Sequence, residues 1–219
     1  MTTLLRLSVA LLAAVPAVLL AAPPQAPSAA ELAERVQRRY TSIRDFSADF
    51  TQTYQGGVLR QKTIERGSLL IKKPGRMRWT YTAPEKKEFV SNGRLLYSYL
   101  PADKQVHVND LPAAGADTSA ALFLAGRGDL TRDFTAALIG EDSSTYTLKL
   151  TPRQRQQDFD TLTLIVDRAS MRIRSLVATD RQGGTSTFVF SNFRENIGLA
   201  DSRFEFTIPR GVKVVRADG

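Results

Sequence analysis

Residues 67–84, Gly-Ser-Leu-Leu-Ile-Lys-Lys-Pro-Gly-Arg-Met-Arg-Trp-Thr-Tyr-Thr-Ala-Pro, constrain the fold more than any other stretch of the chain. They read as two strands joined at Pro74-Gly75, because proline presets one turn torsion and glycine admits the next. The second strand alternates strictly. Arg76, Arg78, Thr80 and Thr82 take one face, and Met77, Trp79 and Tyr81 the other. A period of two is what a strand with one buried face produces. That face carries a polarisable thioether and two large aromatics, so it either fills a core or lines a hollow for an apolar ligand.

The N-terminus reads differently. Arg6 precedes an apolar run from Leu7 to Ala22, broken only by Ser8 and Pro16 and followed by small residues. This is the pattern of a secretory signal peptide over residues 1–22, with cleavage between Ala22 and Ser28. The run is shorter than the ~20 apolar residues of a spanning helix. The chain has no Cys, so disulfides, thiolate chemistry and a lipidated-cysteine anchor are all excluded, and stability rests on burial. The formal charge of +8 suits acidic partner surfaces or anionic headgroups in an exported chain, or simply an Arg-rich soluble surface; nucleic acid is not the expected partner.

A single domain over residues 29–219 follows, with no internal repeat and no long linker. Ser28-Ala29-Ala30-Glu31 has capping-box spacing and opens a helix. Leu32, Val36, Tyr40 and Ile43 form its one apolar stripe. From Phe46 the period changes to two, with Phe46, Ala48 and Phe50 on one face. Strand patterns recur near 60–72, 76–83, 86–91, 94–100, 104–109, 145–151, 160–167, 171–179, 185–193 and 203–208. Asn92-Gly93 and Gly183-Gly184 mark tight turns. Asp117 or Thr118 would cap a second helix over residues 120–125, ended by Gly126, and residues 129–137 form a short third. Eleven strands without βαβ alternation give one antiparallel sheet. Twist accumulating over so many strands curls it, and three short helices are all that covers its concave face. They are a poor plug for so large a concavity, which favours a hollow over a filled core.

Several motifs together resemble the periplasmic outer-membrane lipoprotein carrier family, the LolA-like proteins. They are Phe46-x-Ala48-x-Phe50-Thr51-Gln52, Gly67-x-Leu69-x-Ile71-Lys72-x-Pro74, Met77-x-Trp79 with Pro84, Val90-Ser91-x-Gly93 with Leu96-Tyr97-x-Tyr99, and Phe204-x-Phe206-x-Ile208-Pro209-x-Gly211-Val212. No one piece is specific; their order and spacing are. The resemblance implies an unclosed antiparallel β-barrel with a helical lid over an apolar cavity. It implies a periplasmic carrier that receives acylated lipoproteins from an inner-membrane ABC-type release complex and passes them to an outer-membrane acceptor. An Arg before the Pro of the second motif latches the lid in that family. Lys73 stands there in this chain, which lacks the planar guanidinium fork, so Arg76 or another group is the alternative latch.

The wall residues expected on this reading are Phe46, Phe50, Leu69, Ile71, Met77, Trp79, Tyr81, Tyr97 and Tyr99. The expected lid residues are Leu32, Val36, Tyr40, Ala121, Leu122 and Leu124. No cofactor, metal or catalytic residue is expected, and a monomer is. The only histidine, His107, lies on the polar phase of a strand and lacks a recognisable nucleophile. Asp158 and Asp160 share one face of a possible strand but read as turn charges. Lys72, Lys73, Arg76, Arg78, Lys86 and Lys87 form a basic cluster that reads as a solvated outer face. The competing functions are a regulatory module that senses lipids or mislocalised lipoproteins, and a carrier of another lipid such as a glycolipid.

Overall fold

The computed structural model describes residues 26–57, 61–111 and 120–216; the signal-peptide segment and the cap at Asp117 or Thr118 lie outside them. Helix α1 (Ala29–Thr41) starts as its capping box requires. The Ser28 hydroxyl accepts from the Glu31 amide at 3.2 Å, and the Glu31 carboxylate accepts from the Ser28 amide at 2.7 Å. Its stripe of Leu32, Val36 and Tyr40, with Ala33, is buried.

Twelve strands follow: β1 (Asp45–Gln55), β2 (Lys62–Lys72), β3 (Arg76–Ala83), β4 (Lys87–Asn92), β5 (Leu95–Leu100), β6 (Gln105–Asp110), β7 (Phe134–Glu141), β8 (Thr145–Pro152), β9 (Thr161–Asp167), β10 (Ile173–Thr179), β11 (Thr185–Glu195) and β12 (Lys213–Arg216). Between β6 and β7 lie a one-turn helix α2 (Ala120–Leu122), a π-helical turn (Phe123–Arg127) and α3 (Leu130–Asp133). The strands make one curved, unclosed sheet in the order β12-β6-β5-β4-β3-β2-β1-β11-β10-β9-β8-β7. Cross-strand register carries the apolar phase across it. Met77 faces Ile71, which faces Phe46; Trp79 faces Leu69, which faces Ala48. Beyond β11, Phe188, Leu176, Leu164, Leu148 and Leu138 continue one row to the β7 edge. These residues form one core with α1 and the π-turn.

Three expectations need correction. The sheet has twelve strands, and its last pairing is parallel, β12 beside β6. Residues 129–137 hold only four helical residues before β7 begins at Phe134. The Ala136-Ala137-Leu138 run is helix-favouring by composition, and pairing with β8 overrides it. Residues 203–208 form no ladder: Asp201–Phe204 is a 3-10 turn followed by extended chain. Their alternation is real but has another cause, because Phe204 and Phe206 turn toward the convex side of the sheet. There Phe204 is buried, and the Phe206 ring lies 5.3 Å from Tyr97 and 5.5 Å from Tyr99.

Candidate functional site

The hollow lies on the concave face where β3, β4, β5 and β11 meet the first residues of the lid. Met77, Trp79, Tyr81, Phe89, Leu96, Ala121 and Phe188 line a cavity of about 200 Å³. Phe50 backs it, its ring edge-on to Trp79 at 5.0 Å and to Tyr81 at 4.9 Å. That packing requires Gly67. A Cβ there would sit 2.1 Å from the Thr80 carbonyl oxygen and 2.9 Å from the Phe50 ring, so only glycine lets β1, β2 and β3 close behind the aromatic wall.

The rim beside Tyr81 is polar. The Tyr81 hydroxyl donates to Gln52 Oε1 at 2.6 Å. Lys87 donates to Glu65 at 2.6 Å, and its Nζ lies 4.4 Å from the Tyr81 ring centre. Burial, with the Glu65 carboxylate adding to it, raises the Tyr81 hydroxyl above its ordinary range, so it remains a donor.

The lid is held at the opposite end of the strands. The π-turn leaves carbonyls without intrahelical partners. The Tyr40 hydroxyl donates to the Leu124 carbonyl, and the Gly75 amide donates to the Ala125 carbonyl at 2.8 Å. Tyr40 stacks on Phe123 with ring centres 6.1 Å apart. Burial drives the Tyr40 hydroxyl far above its usual range, which keeps its proton on. Lys73 joins the two sides. Its ammonium donates to the Tyr40 carbonyl and sits 3.3 Å from the Tyr40 ring centre. Its methylenes pack so closely on Gly126 that a Cβ there would meet Lys73 Cδ at 2.8 Å. Gly126, at φ 76°, therefore serves both the turn and the lysine. Burial pulls the Lys73 amine down to about 7, with Glu195 opposing.

The structure brings Met77, Trp79 and Tyr81 to the cavity itself. Phe46, Phe50, Leu69 and Ile71 are buried behind it in the same core, as are Leu32, Val36, Tyr40, Leu122 and Leu124, while Ala121 forms part of the roof. Tyr97 and Tyr99 are not wall residues. Register pairs Tyr97 with Val90 and Val108, and Tyr99 with Val106, on the convex face. Leu96, one position over, faces the hollow instead. Phe89 and Phe188 were not expected. Phe188 was legible from its shared phase with Phe190, whereas Phe89 stands beside buried Val90 and shows no clean period.

Arg76 faces away from the lid and pairs with Asp201 at 3.5 Å, so it is no latch. Lys72 also pairs with Asp201, at 2.5 Å, and Arg78 donates to the Arg203 and Glu205 carbonyls at 2.8 and 2.7 Å. Lys72, Arg76 and Arg78 thus staple the C-terminal segment to the convex face, whereas Lys73 and Lys87 turn to other partners and Lys86 is exposed as expected. His107, placed by its sequence on the polar phase of its strand, is half-buried and shares the phase of Ser98 and Phe89. Asp158 is exposed; Asp160 lies 3.5 Å from Arg181, in the turn before β9. Among the described residues no cluster of three or more metal-ligating side chains occurs.

An open sheet with a roofed, aromatic-walled hollow on one face defines a half-barrel built around an apolar cavity. The chain matches the family described as "Outer membrane lipoprotein carrier protein LolA" over residues 41–207, and it belongs to that family. An "Outer-membrane lipoprotein carrier protein" of Chromobacterium violaceum is 33% identical over 202 residues, covering 91% of this chain and 92% of the relative. A protein of the same description from Nitrosomonas europaea is 31% identical over 171 residues, covering 78% and 82%. The crystal structure of an uncharacterized conserved protein from Thermus thermophilus superposes with a TM-score of 0.53 at 17% identity, covering 84% of this chain and 99% of that one, and shares the fold.

Proposed function

We propose that this chain is a soluble, monomeric periplasmic carrier. It binds the acyl chains of lipoproteins under the lid, receives them from an inner-membrane ABC-type release complex, and delivers them to an outer-membrane acceptor without catalysis. The observation that carries this reading is the hollow walled by Met77, Trp79, Tyr81, Phe89 and Phe188 and roofed by Ala121. Such a lining answers a specific need. Each acyl methylene left in water costs ~0.8 kcal/mol, so three bare chains cost tens of kcal/mol.

At about 200 Å³, the hollow is too small for three fatty tails. This is the volume with the lid closed. Loading displaces Leu122, Phe123, Leu124 and the α1 stripe, and the cargo takes over their apolar contacts. The exchange lies near neutral in free energy, so cargo can leave as well as enter, and the donor complex supplies the drive. Lys73 is the latch, since from the sheet it touches both the α1 end and the π-turn.

The test is to purify the protein from its native periplasm and identify co-purified molecules by mass spectrometry. Triacylated lipoproteins are expected. A preparation dominated by glycolipid would replace this cargo with that one.

A further inference from the structure

Trp79 is 2% exposed, and its Nε1 is the one buried side-chain nitrogen or oxygen among the described residues without a hydrogen-bond partner. An indole N–H left unpaired in an apolar site carries the full cost of its desolvation, and native structures keep few such groups. Its surroundings explain why no partner is at hand. Leu69 and Phe89 flank it across the ladder, and the Phe50 and Phe188 rings stand edge-on at 5.0 and 5.4 Å. None offers an acceptor beyond an aromatic face, which is a weak one. Tyr81, two residues along the same face, has the opposite history: its hydroxyl is already committed to Gln52. One residue of the wall therefore carries an uncommitted donor, which the closed fold shields from the hollow itself. Ligand sites of this kind hold their ligand by area and orient it by a few placed polar groups.

We infer that the Trp79 indole N–H is the orienting group of the cavity, donating to a carbonyl oxygen of an acyl linkage, ester or amide, at the head of a fatty chain. The inference rests on the acyl-binding reading above. An acyl carbonyl entering the hollow would be a buried acceptor without a donor, just as Trp79 is a buried donor without an acceptor. Pairing them relieves both penalties at once. A hydrocarbon tail slides freely along Met77 and Phe188; the hydrogen bond fixes how deep the linkage sits, and with it how much of the tail lies inside.

The experiment compares two probes of equal chain length, 1,2-dioctanoylglycerol and its carbonyl-free 1,2-dioctyl diether, on the full mature protein. The ester is expected to bind about fivefold to tenfold tighter, and Trp79→Phe is expected to bring the ratio to about one. Because the chain has a single Trp, its indole N–H gives one ¹⁵N–¹H resonance, which moves downfield with the ester and not with the ether. Should the variant fail to fold, the wild-type ratio and that resonance still decide. Equal binding of ester and ether, or a ratio that survives in Trp79→Phe, overturns the inference and leaves the carrier reading standing. Binding of neither probe overturns both.

Discussion

Lys73 is under two opposed demands. The Tyr40 carbonyl and ring favour its ammonium form, while burial favours the neutral amine and prevails, bringing it to about 7. Glu195 offers limited help because Arg39 and Arg172 already occupy its carboxylate. The sign of the pH effect follows. The amine titrates near 10.5 when free and near 7 in the closed fold, so the unfolded chain holds more protons across that interval. Closed-state stability contributed by Lys73 therefore rises as pH climbs from 7 toward 10, and the protonation penalty is complete below 7. In thermal unfolding, the Tm of wild type relative to Lys73→Met should increase between pH 7 and 9.5; a difference that stays constant refutes the assignment. Replacing Trp79 by Asp is the other test at this scale. A carboxylate on the cavity wall should abolish loading of a triacylated lipopeptide, and unchanged loading by a folded variant would remove Trp79 from the wall. The sequence disclosed Lys73 only through its place before Pro74. Its closeness to Gly126 joins positions too far apart in the chain for any spacing rule to reach.

At the scale of elements, periodicity identified faces better than it identified ladders. The Met77-Trp79-Tyr81 face was legible because β3 is flanked by strands on both sides and its period is unbroken. Phe204 and Phe206 show the same alternation, yet that segment crosses the convex face and gives its Arg203 and Glu205 carbonyls to Arg78 rather than to a neighbouring strand. One-dimensional pattern reports which side chains are buried, not what the backbone bonds to. The same confusion put Tyr97 and Tyr99 in the cavity, since all six residues of β5 are half-buried and neither face stands out. Two variants separate the faces. Phe204→Ala, at a fully buried position, should cost about 3–5 kcal/mol in denaturant unfolding while the folded fraction still loads acyl probes. Gly67→Ala should do the reverse of a simple stability loss: by pushing the Thr80 carbonyl away from β2 it disturbs the wall, so loading falls even where folded protein is recovered. Loss of loading in the Phe204 variant at matched folded concentration would contradict the division into two faces.

For the molecule as a whole, the decisive clue was a disproportion: many strands, few helices, and one concave face to cover. That argument reached the half-barrel and its hollow without counting the strands correctly. Which residues close the roof was beyond it, because the π-turn depends on partners from α1 and from the β2–β3 turn. The proposal that loading opens this roof has a direct signature. Amides of the π-turn, Phe123–Arg127, should exchange faster with solvent hydrogen when a triacylated lipopeptide is bound, while β1, β2 and β11 keep their protection; undiminished protection of the π-turn would mean that room is made elsewhere. The order of the sheet ends at β7 on one side and β12 on the other. A fully closed barrel has its girth set by strand number and shear. With a seam left unstitched, circumference becomes a variable, and the same scaffold can tighten around a slender tail or spread for a bulkier bundle without breaking a single rung of its ladder.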